Sequence, residues 1–88
     1  MPGNRPTDAH AIALLALATA VSDERRARRF LDLTGIGTDE LRQRAGEPAL
    51  LAALVRFLEA HEPDLLACAE ALEIAPERLV EARRRLER

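Results

Sequence analysis

Eighty-eight residues leave room for one domain, whose core is thin because so short a chain buries only about 60–65% of its unfolded surface. With 48% hydrophobic and 32% charged residues the chain is too apolar for a disordered tail, and with two Phe and no Tyr or Trp it is a poor β-sandwich or base-stacking platform. A net charge of −2 excludes a wholly basic nucleic-acid coat, and the lone Cys68 excludes an intramolecular disulfide or a multi-cysteine metal site.

The first element is expected from residue 8, after a flexible N-terminal arm over residues 1–7, with residues 8–88 forming a single all-helical domain. Thr7 or Asp8 can cap a helix that ends near Val21. Its apolar stretch over residues 11–20, with Arg5 upstream and Ala18-Thr19-Ala20 at the end, imitates a signal-peptide core. Asp8, the single upstream arginine and the helix start at Pro6-Thr7-Asp8 argue instead for a helix of a cytoplasmic chain. The run from Ala11 to Val21 is also far shorter than the roughly 20 residues a bilayer requires, so no membrane is expected. Ser22, followed by Asp23 and Glu24, caps a second helix that stops at Thr34, with Gly35 placed for a left-handed C-terminal turn. Thr38 caps a short third helix closed by Gly46. Pro48, Pro63 and Pro76 then fall where a first helical turn accepts proline and open helices four, five and six. Nothing alternates with period two, so no strand is expected and the fold is an all-α bundle of about six short helices.

Apolar spacing assigns the inner faces. Helix four carries Leu50, Leu51, Leu54, Val55, Phe57 and Leu58, with Arg56 and Glu59 outside the stripe; helix six offers Leu79, Ala82 and Leu86. Helix one has only Thr19 as a polar residue between Ala11 and Val21, so it is either the central element of the bundle or part of a homodimer interface. A shift of 38 residues superposes Ile36 on Ile74, Leu41 on Leu79, Leu17 on Val55, Ala20 on Leu58 and Leu33 on Ala71. Each half then reads as a helix followed by a helix-turn-helix, either a duplication or a chance likeness of Ala/Leu-rich helices.

The second hairpin fits a DNA-binding helix-turn-helix at Ala69, Leu72, Ile74, Leu79 and Ala82, but Glu73 stands where the turn usually has Gly. On that reading Arg78, Arg84, Arg85 and Arg88 meet phosphates or guanine edges. The alternative is an ordinary hairpin whose arginines complement the helix dipole, with Glu81 pairing to Arg84 and Arg85. The most basic stretch, Arg25, Arg26, Arg28 and Arg29, spreads round helix two beside Glu24 and Asp32. It is either a solvated, partly paired face or a surface for an anionic partner.

Support for catalysis is poor. Ser22 lacks a nucleophile-elbow context, Cys68 sits among apolar neighbours, and His61 with Glu59, Glu62 and Asp64 forms a water-exposed helix boundary without metal-ligand spacing. Gly35-Ile36-Gly37 is too short for a phosphate cradle. No enzyme, metal or cofactor is therefore expected.

The segment Phe30-Leu31-Asp32-Leu33-Thr34-Gly35-Ile36, with Leu41-Arg42, Phe57-Leu58, Pro76 and Ala82, resembles a family of short alphaproteobacterial proteins catalogued as domain of unknown function three-five-seven-two. The likeness runs from about Ala11 to Leu86, with Leu-Thr-Gly-Ile as its most specific piece. It implies a small all-helical protein of similar length and carries over no activity and no functional residue. The leading expectation is a cytoplasmic protein acting through a protein partner or as a homodimer; a helix-turn-helix DNA binder is the alternative.

Overall fold

The computed structural model describes residues 8–88, which form six helices: α1 Asp8–Val21, α2 Glu24–Thr34, α3 Thr38–Arg44, α4 Pro48–Glu59, α5 Glu62–Leu72 and α6 Pro76–Leu86. The N-terminal arm and the Thr7 cap lie outside the described residues. Among the described residues there is no strand, and no helix is long and apolar enough to cross a membrane.

Proline marks three helix starts: Pro48 and Pro76 are first helical residues and Pro63 is second, positions whose missing N–H costs the helix nothing. Two expected caps move by one residue. Asp23, not Ser22, is the N-cap of α2, and its carboxylate accepts from the Arg26 backbone N–H at 3.0 Å. Ser22 Oγ instead donates to the Thr19 carbonyl at 2.7 Å, satisfying the end of α1. Gly37 occupies the N-cap of α3 and Thr38 is its first helical residue, with no side-chain cap. Gly46 follows α3 in the turn to α4, one residue beyond the C-cap Ala45.

The core is built on α4 and α1. Leu50, Leu51, Leu54, Val55, Phe57 and Leu58 of α4 are all buried, and so is Ala52. Helix α1 faces them with Ala9, Ala13, Ala16, Leu17 and Ala20, a stripe of mostly small side chains that lets α4, α5 and α6 approach closely. Helix α1 is thus the central element, in contact with α2, α4, α5 and α6. Leu79 and Ala82 anchor α6, and Leu86 is partly buried behind them. Phe30 of α2 meets Phe57 edge to face, with centroids 5.3 Å apart.

The 38-residue repeat extends to element boundaries. Helices α2 and α5 coincide end to end under the shift, and both stop at a left-handed residue: Gly35 at φ 77° and Glu73 at φ 59°. A Cβ on Gly35 would meet open space, so Gly35→Ala suffers only the backbone penalty and loses about 1 kcal/mol. Glu73 already bears that strain; Glu73→Gly gains about 0.5–1 kcal/mol. Urea unfolding followed by far-UV circular dichroism measures both changes.

The two halves pack differently. Helix α6 lies firmly against α1, α4 and α5, whereas α3 contributes no buried residue. Composition explains this: α3 has seven residues with Leu41 as their one apolar side chain, while α6 has eleven, including Leu79, Val80, Ala82 and Leu86. The seam between α4 and α6 is filled by the buried Leu79 and Ala82 and opens only where Pro48, Ala49, Ala52 and Ala53 meet Leu86 beyond them; its counterpart between α1 and α3 receives no fully buried α3 side chain and stays open.

Candidate functional site

The open seam is an apolar groove of about 350 Å³, lined chiefly by Leu14, Leu17, Ala18 and Val21 of α1 with Leu41 and Ala45 across from them. Thr38 and Arg42 complete its rim. On α1 the lining residues recur at i, i+3, i+4 and i+7, so they form one ridge two turns long. This explains why α1 is apolar almost all round: one stripe enters the core, while Leu14 and Leu15 remain 39% and 56% exposed. One end of the seam is pinned, because His10 Nε2 donates to the Gly46 carbonyl at 2.7 Å and ties α1 to the turn after α3.

Under the 38-residue shift, Val21 and Ala45 correspond to Glu59 and Arg83. In the closed seam Arg83 Nε donates to Glu59 Oε2 at 2.5 Å, and Arg83 also bonds Glu87 at 2.8 Å. Arg56 adds two hydrogen bonds to Glu87, at 2.6 and 3.0 Å. An ion-pair network thus locks α6 to α4, and the equivalent positions in the open seam carry only apolar side chains.

The basic stretch of α2 divides into two parts. Arg26 Nε donates to Asp64 Oδ1 at 2.9 Å, Arg29 Nη2 donates to Asp64 Oδ2, and Arg29 also stacks on the Phe57 ring at 5.3 Å. The Asp64 side chain is only 7% exposed and that of Arg26 17%, so these groups join α2 to α5. The expectation that Asp64 lies in a water-exposed cluster is therefore corrected: its place in the first turn of α5 points it at α2. Burial pushes the Asp64 carboxyl up, but the hydrogen bonds from Arg29 and Arg26 and their charges outweigh it and hold the group below the usual carboxylate range. Arg25 and Arg28 stay exposed beside Glu24 and Asp32 around a shallow, mixed-charge depression. The four arginines do not make one basic surface.

On α6, Arg78, Arg84 and Arg85 are exposed, and so is Arg88 just beyond the helix. Arg78 and Arg85 flank Glu81 at a small depression of about 60 Å³ that also touches Ala9 and Ile12 of α1. The expected pairing of Glu81 with Arg84 and Arg85 does not form; the ion pairs of this helix among the described residues run through Arg83 and Glu87, which reach carboxylate and guanidinium groups on or beside α4.

A model of the family described as "Protein of unknown function (DUF3572)" matches residues 6–88, a span that takes in all six helices. The chain belongs to this family. No curated protein and no solved structure matches it. The DUF3572 match therefore establishes kinship over the whole bundle, and the chemistry has to be read from the residues themselves.

Those residues offer little to a substrate. Cys68 is fully buried, its Sγ donates to the Ala16 carbonyl at 3.7 Å, and burial pushes its thiol above the ordinary range with only partial relief from the Arg26 charge. His61 caps α5 in the open, and among the described residues no three His, Cys, Asp or Glu side chains are grouped as a metal site would require. Two features escaped the sequence reading although it held their signals. The shift that aligns Ile36 with Ile74 also sets Arg26 on Asp64, opposite charges at equivalent positions, and α3 has too few apolar residues to close a seam.

Proposed function

We propose that this protein is non-enzymatic and works in the cytoplasm by binding another protein through the seam between α1 and α3. The observation that carries this reading is the groove itself: an apolar ridge on the central helix whose Leu14 and Ala18 are exposed, in a bundle whose equivalent seam is filled by the buried Leu79 and Ala82 of α6. So small a domain gains stability from any partner that covers such a ridge. The test places a photo-crosslinking amino acid at Thr38 on the groove rim, with the same amino acid at the exposed Arg84 as control, and examines the adducts formed in cells. An adduct of one discrete mass from position 38, absent at position 84 and lost when Ala18→Gln is added, supports the reading. Adducts confined to position 84 overturn it.

DNA binding through α6 is the second reading, favoured by the exposure of Arg78, Arg84 and Arg85 on one short helix and of Arg88 just beyond its C-cap. Against it, Glu77 and Glu81 share the exposed side, and α6 is locked to α4 by the Arg83 pairs. A labelled duplex titrated at several salt concentrations decides: a DNA binder loses affinity log-linearly with salt, and changing the four arginines to Glu abolishes its binding.

A further inference from the structure

We infer that the occupant of the α1/α3 groove is a single amphipathic helix of about two to three turns, supplied by a different protein and carrying an acidic side chain beside its apolar stripe. This rests on the protein-binding reading above and narrows it to one class of partner.

Three observations fix the occupant. The first is size: the ridge from Leu14 to Val21 spans two turns, about 10 Å, which matches the contact length of one short helix laid ridge into groove. A stable dimer buries about 800 Å² per partner, an area that a seam two turns long does not offer by itself. The second is charge: among the described residues Arg42 is the one charged residue lining the groove. Its neighbour Asp39 stands 3.8 Å away with both side chains in water, a pair too weak to stop a partner carboxylate from taking the guanidinium. A second copy docked α1 against α1 does not meet that demand. Its own exposed stripe of Ala11, Leu14, Leu15 and Ala18 brings no carboxylate to Arg42. The third is the comparison of the two seams. Where the second seam uses the Glu59–Arg83 pair, the first has Val21 and Ala45, which lie toward opposite ends of the groove, so the occupant meets apolar side chains along its length and a charge only at Arg42.

The test uses two fluorescein-labelled, lactam-stapled helical peptides of about twelve residues, with Leu at i, i+3 and i+7 and either Glu or Lys flanking that stripe. Binding is read by fluorescence polarisation against the full-length protein and two surface variants, Ala18→Gln and Arg42→Glu, whose folding is checked by circular dichroism. The Glu peptide is expected to bind about fivefold more tightly than the Lys peptide, Arg42→Glu to reverse that order, and Ala18→Gln to weaken both at least tenfold. Equal affinities, or a preference that survives Arg42→Glu, overturn the acidic-helix assignment while leaving the crosslinking test of the groove unaffected. Failure of both peptides to bind also overturns it. A dimer in sedimentation equilibrium that Ala18→Gln dissociates overturns it in favour of a second copy.

Discussion

Leu79→Ala destabilises the protein by about 3 kcal/mol, whereas Leu41→Ala, the same change at the equivalent position of the first half, costs about 1 kcal/mol. Leu79 is fully buried where α6 meets the core, and truncating it leaves a cavity that the surrounding α1 and α4 side chains fill only in part. Leu41 is half-buried on α3, where solvent reaches it from the groove, so its removal exposes little and leaves no closed void. An 88-residue domain has a total stability of about 4–13 kcal/mol, so the first change removes a large fraction of it and lowers Tm by about 15 °C. Thermal and urea unfolding of the two variants side by side measure the difference, and equal losses would mean that the seams are packed alike.

Asp64→Ala is expected to cost about 2–3 kcal/mol. The carboxylate accepts from Arg26 and Arg29 and, in the first turn of α5, also interacts favourably with the helix N-terminus. Its loss strands the Arg26 guanidinium in a largely buried position, and this unpaired charge accounts for most of the penalty. Arg29 is half exposed and turns to water, so the cost stays below that of breaking a fully buried pair. The pH dependence has a definite sign. Because the folded-state pKa of Asp64 lies below its unfolded value of about 3.9, its contribution is complete above that value and is lost as pH falls through the folded one. Wild-type protein therefore loses stability on acidification below about pH 4 more steeply than Asp64→Asn. Parallel acid titrations at fixed urea measure that slope.

How much of this was legible in the sequence depended on how local the cause was. Helix starts at Pro48, Pro63 and Pro76 and the stop at Gly35 follow from single-residue backbone constraints, and the inner face of α4 from periodicity alone. The expected caps at Ser22 and Thr38 are each off by one residue: at α2 the Asp23 carboxylate, not the Ser22 hydroxyl, reaches the Arg26 N–H, and at α3 the extended Gly37 precedes the helix with no side-chain cap. Glu73 was recognised as an unusual occupant of a glycine position, and its left-handed φ confirms the strain. The burial of Asp64 was illegible locally, since its partners lie on α2 and its neighbours His61 and Glu62 are exposed. The groove was hidden for a similar reason. Helix α1 looks apolar all round, and only the position of α3 reveals which stripe is left uncovered.

The most direct measurement of the central claim, an open first seam beside a closed second one, is native-state amide hydrogen exchange resolved by residue. Amides of α3 are expected to exchange through local openings of about 1–2 kcal/mol, while those of α6 between Val80 and Leu86 require nearly the full unfolding free energy. Protection of α3 equal to that of α6 would contradict the claim: the seam would be closed in solution, with no groove for a partner to enter.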